Sequence, residues 1–192
     1  MIYDLPTSVE INGVTYKVQS DYRAILDICV ALNDPELSQR EKVIVLLDIF
    51  YHDSDTIPPE DYQEAVKKCF WFISCGNQEP DKKMPHLVDW SKDFPIIVAP
   101  INRVIGKDVR SFEYLHWWTF VSYYLEIGNC LFAQVVRIRS LKAKGKPLDK
   151  ADREFYRENR ELIDLKTQYT DKEREVVELW TKGKTAPETG TV

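Results

Sequence analysis

The chain has 192 residues, enough for one domain with a substantial buried core. Hydrophobic residues make up 44% and charged residues 30%, an ordinary balance for a globular protein, and a formal charge of −5 excludes a global pull toward nucleic acid. Its seven glycines are few, which disfavours β-rich folds and glycine-rich phosphate loops.

The first clear local signal is Val9–Val18, where Asn12-Gly13 separates two short alternating runs. Asn-Gly tolerates the positive φ angles of a type I′ turn, so a β-hairpin over 9–18 is expected. A helix follows from Ser20 or Asp21, with Tyr22, Ile25, Leu26, Cys29 and Leu32 at three- and four-residue spacing. A second opens on the capping box Ser38-x-x-Glu41, with Val43, Leu46, Leu47 and Phe50 inward. A third begins near Pro59 and runs through Cys69 and Ile73 to a stop at Gly76. Residues 77–93 read as a long loop. A fourth helix is expected over 94–105, kinked at Pro100 and ended by Gly106.

The stretch 112–127 is apolar on nearly every helical face, so it predicts a buried central helix, with Ser111 as a candidate cap. At that length, with Glu113, His116 and Glu126 inside it, it is too short and polar to span a bilayer. Gly128 breaks it, and a further helix over 129–143 carries Leu131, Phe132, Val135, Val136 and Ile138 on one side. Between Arg137 and Lys146 the chain has five cations and no acid, read first as a solvated helix end. A seventh helix is expected from Pro147–Asp149 to Asp164, with Phe155, Leu162 and Leu165 inward. The capping box Thr170-x-x-Glu173 opens an eighth, lined by Val176, Val177, Leu179 and Trp180. The fold class is therefore mainly α: a bundle of about seven to eight helices with a small N-terminal hairpin. The expected organisation is one domain over 1–181 and a flexible tail over 182–192.

Candidate chemistry is sparse. The N-terminus lacks a basic region followed by a long apolar run, so no signal peptide is expected and the cysteines should be thiols. Cys29, Cys69, Cys75 and Cys130 lack zinc-finger or CxxC spacing, and each falls on an apolar helical pattern. Glu113 and His116 have the ExxH spacing that places a carboxylate and an imidazole on one helical face. A di-iron bundle needs a second such motif and two more glutamates. The expectation is thus no metal, no cofactor and no catalytic residue, with a metal-dependent enzyme as the alternative. A nucleic-acid adaptor working through Arg137–Lys146 is a further alternative, opposed by the net charge. Trp117 and Trp118 lie about 100° apart on a helix, so one can anchor the core while the other reaches a surface.

Four pieces of the run from Lys92 to Gly145 are distinctive: Asp93-Phe94, Gly106–Arg110, Leu115–Phe120 and Val136–Arg139. On them the chain resembles the bacteriophage gene-product-fifteen family of tailed phages and prophages. Members of that family are typically encoded among tail genes, just ahead of the tape-measure protein, where tail assembly chaperones usually lie. The resemblance implies a non-enzymatic protein of the host cytoplasm. It would bind the tape-measure protein, help the tail-tube protein polymerise and self-associate, with no membrane and no nucleic-acid partner. Candidate contact residues are Trp117, Trp118, Phe120, Arg137 and Arg139.

Overall fold

The computed structural model describes residues 4–77 and 86–165. The expected mainly helical fold is found, with eight α-helices among those residues and a two-stranded antiparallel hairpin at the N-terminal end.

Strands β1 (Ser8–Ile11) and β2 (Val14–Lys17) pair Val9 with Tyr16 and Ile11 with Val14. Asn12 and Gly13 take φ of 46° and 85°, as the type I′ turn requires. Val9 and Ile11 are buried, so the hairpin rests on the helices through one side of β1. Helix α1 (Tyr22–Leu32) is capped by Asp21, whose carboxylate accepts the Arg23 amide at 2.9 Å. Helix α2 (Gln39–Phe50) has both arms of the expected capping box.

Helix α3 (Tyr62–Ile73) begins after a short 3₁₀ turn at Pro59–Asp61, rather than at Pro59 itself. It closes with two reciprocal bonds, Gly76 N–H to Trp71 O at 2.9 Å and Cys75 N–H to Phe72 O at 3.1 Å. Helix α4 (Trp90–Ile105) starts inside the expected loop. Asp89 caps it by accepting the Lys92 amide at 3.0 Å, and Asp93 accepts the Asp89 amide at 2.9 Å. The helix continues through Pro95 and Pro100 to a left-handed Gly106.

The largest departure from the sequence reading is the central helix. Residues 112–116 are not helical, and α5 covers only Trp117–Leu125. Asp21 accepts the Leu115 amide at 3.0 Å, and the Leu115 carbonyl accepts the Tyr22 amide at 2.9 Å. His116 then caps α5, its ring accepting the Trp118 amide at 3.1 Å. Those bonds, two of them to the start of α1, hold the stretch extended, which its apolar density alone did not indicate. Ser111 does not cap α5; its hydroxyl donates to Asp108 O.

Helix α6 (Leu131–Ala143) is capped by the Cys130 sulfur, which accepts the Ala133 amide at 3.4 Å. The expected seventh helix is broken at Asn159 into α7 (Lys150–Glu158) and α8 (Arg160–Ile163). The expected eighth helix and the tail lie outside the described residues.

The main core joins Val9 and Ile11 to the inner faces of α1 to α5, with Phe50, Phe72, Ile97 and Phe120 fully buried. A smaller cluster forms where Val135 and Ile138 of α6 meet Ile163 of α8, with Phe155 and Leu162 against it.

Candidate functional site

The five residues expected to contact a partner divide sharply. Trp117 is 3% exposed and Phe120 0%. The Trp117 indole donates to Ile73 O at 2.9 Å, and Phe120 stacks on Tyr22 with ring centres 4.6 Å apart. Trp118 is half-buried; its indole donates to Phe72 O at 2.8 Å and its ring meets Trp71 edge-on at 5.7 Å. Adjacent tryptophans therefore donate to adjacent carbonyls in the last turn of α3, Trp117 to Ile73 O and Trp118 to Phe72 O, which also accepts the Cys75 amide. Their pairing is explained by capping a neighbouring helix.

Arg139 is buried, with 5% exposure. It makes two bonds to the Asp93 carboxylate, at 2.6 and 2.9 Å. Its remaining donors reach Leu87 O, Leu162 O and Ile163 O at 2.7 to 2.9 Å. Arg137 is half-exposed and engages the carboxylate of Asp152, a largely buried residue. Trp117, Phe120 and Arg139 thus sit inside the fold and offer no free surface. The sequence reading missed Asp93 and Asp152 as the acids that hold the two arginines. An isolated acid on an otherwise apolar helical stretch, as at Asp93, was the available signal.

The ExxH reading is also corrected. Glu113 lies outside any helix, and both His116 ring nitrogens are engaged, with Trp118 N–H and Pro6 O. Among the described residues no group of three or more His, Cys, Asp or Glu is placed to hold a metal ion. Burial raises the thiol pKa of Cys29 to about 12 and of Cys75 to about 11, which makes both poor nucleophiles. No described helix is long and apolar enough to cross a membrane.

Open surface lies in two places: a hollow of about 490 Å³ between α1 and α4, lined by Leu26, Val30, Trp90 and Phe94, and the surface around α6. A groove of about 550 Å³ runs along it, lined by Tyr124, Leu125, Ile127, Phe132, Val136 and Leu141. It shares Ala133 and Arg137 with a second hollow of about 380 Å³. Cys130 joins that hollow to a third of about 430 Å³ beside Ala99 and Pro100. At the α5–α6 corner, Leu125 is 73% exposed and Leu131 45%. Lys144 and Lys146 line the far end of the main groove.

The arrangement is that of a helical protein whose buried ions hold elements together and whose surface includes a mainly apolar groove with a basic end. The bacteriophage Gp15 protein family matches residues 1–165, most of the sequence, and the chain belongs to that family. It is a phage protein. No curated protein and no solved structure is detectably similar to it.

Proposed function

We propose that this protein is a tail assembly chaperone. It binds the tape-measure protein in the host cytoplasm, keeps it soluble, and assists polymerisation of the tail-tube protein around it, without catalysing a reaction. The observation that carries the reading is family membership over residues 1–165. The mainly apolar groove beside α6 supports it, because a tape-measure protein exposes long apolar helical faces before its tube covers them. Several copies along one rod would bind with avidity.

The test is co-expression with the tape-measure protein encoded beside it, followed by size separation with light scattering. A soluble multi-copy complex, with the tape-measure protein insoluble alone, is the expected result. A tape-measure protein indifferent to this chain overturns the reading.

A further inference from the structure

The α5–α6 corner exposes apolar residues beside a groove whose other end is basic. Leu125 and Leu131 stand well into solvent, at 73% and 45% exposure. The groove from Leu125 to Leu141 is mainly apolar, lined by Ile127, Phe132 and Val136, with Arg137 and Ser140 also in its wall. It lies on the side of α6 away from α8, because Val135, Ile138 and Arg139 face α8 while Phe132, Val136 and Leu141 face the groove.

The charges are distributed unevenly along this surface. No acidic residue occurs between Glu126 and Asp149. Three of the five cations in that interval are paired with acids of the fold: Arg139 with Asp93 in the interior, and Arg137 with Asp152 and Lys142 with Asp164 nearer the surface. Lys144 and Lys146 have no partner among the described acids, and both line the groove's end beyond Leu141. The groove is thus mainly apolar at its Leu125 end, beside the exposed acid Glu126, and carries Lys144 and Lys146 at the other end. α6 has 13 residues, which at 1.5 Å per residue gives about 20 Å of rod, or some four turns of a partner helix.

From this asymmetry we infer that the groove is the docking surface for one amphipathic helix of a partner. Its apolar stripe lies from Leu125 to Leu141, and its acidic residues, at one end, meet Lys144 and Lys146. Apolar anchors at i, i+3, i+4 and i+7 fill the groove, and the lysines fix which way the helix runs. The inference rests on the chaperone reading, the partner helix belonging to the tape-measure protein. Its charge rule adds a requirement: the bound segment is acidic at one end.

The experiment uses the full chain and the co-expressed tape-measure protein. Leu125→Asp with Leu131→Asp tests the apolar corner, and Lys144→Glu with Lys146→Glu tests the basic end. Ile44→Asp, at an apolar residue on α2 as exposed as Leu131, is the control for general stickiness. Both double variants should weaken the complex tenfold or more, while Ile44→Asp binds as the wild type does. A photo-reactive benzoylphenylalanine at position 133 should link to an acidic-ended helical segment of the tape-measure protein. If the wild-type complex forms and the double variants bind equally well, the surface is wrong and the chaperone reading stands. If the wild-type chain forms no complex, both fall. Adducts to a second copy of the chain, or to its own residues, would replace this partner and overturn the inference.

Discussion

Arg139 and Asp93 form a fully desolvated, two-pronged ion pair that joins α6 to the first turn of α4. The same guanidinium reaches Leu87 ahead of α4, and Leu162 and Ile163 at the end of α8. One side chain therefore fixes α6, the entry to α4 and the last described helix. Removing the arginine leaves a carboxylate with no cation at zero exposure.

Arg139→Met is accordingly expected to cost about 3–5 kcal/mol, the usual penalty for stranding one member of a buried pair. For a chain of this size that lowers the melting temperature by roughly 6–20 °C. Arg160→Met, which breaks an exposed pair with Asp164, should leave it unchanged. Thermal unfolding of the two variants decides the matter. Equal melting temperatures would mean that the buried pair contributes no more than the exposed one.

Much of this fold is legible in the residues, and the failures share a cause. Asn12-Gly13, the Ser38–Glu41 box and Gly106 are local signals whose chemistry acts within a few residues, and each appears as expected. The extended stretch 112–116 is set by Asp21, a residue some ninety positions earlier that accepts the Leu115 amide. Sequence periodicity cannot register such a bond. The same holds for Arg139, whose partner lies on another helix. Its place in a basic run pointed to the surface, and its neutralisation by Asp93 placed it inside. The apolar groove beside α6 was not legible either, since it depends on how the α5–α6 corner turns.

His116 gives a pH prediction. Trp118 N–H must donate to Nδ1, so the ring proton sits on Nε2 and is donated to Pro6 O at 2.9 Å. A second proton would have to enter at Nδ1, against the amide it now accepts. Burial lowers the His116 pKa, and the bond to Pro6 only partly opposes that. The unfolded chain, with an ordinary histidine pKa of about 6.5, therefore binds the proton first as pH falls. This contribution to stability is complete above about pH 6.5 and is lost as pH drops through the depressed folded value. His116→Asn keeps a good cap without the titration. Melting temperatures between pH 7.5 and 5 should fall more steeply for the wild type than for the variant; parallel curves would remove His116 as the cause.

Gly76 and Gly106 share a left-handed backbone, with φ of 79° and 83°, but not their surroundings. A Cβ at Gly106 meets nothing within 4 Å, whereas one at Gly76 meets Trp118 at 3.3 Å and Trp71 at 3.7 Å. Gly106→Ala is expected to cost only the backbone strain, about 1–2 kcal/mol. Gly76→Ala should cost more and also change the near-ultraviolet circular dichroism of the tryptophans. If both variants lose the same stability with unchanged spectra, the Trp71–Trp118 contact tolerates the methyl group.

The two indoles over α3 separate a capping role from a binding one. Trp117→Phe keeps an aromatic ring but leaves Ile73 O, beside the buried Trp117 ring, without its donor. An unsatisfied buried carbonyl costs about 1–3 kcal/mol. Trp118→Phe should cost less, because Phe72 O also accepts the Cys75 amide and Trp118 is half-exposed. Neither change touches the groove beside α6. Both variants should therefore capture the tape-measure protein as the wild type does, at a temperature where each remains folded. Loss of capture by folded Trp118→Phe, with Leu125→Asp/Leu131→Asp unaffected, would move the binding surface to the Trp71–Trp118 face at the end of α3.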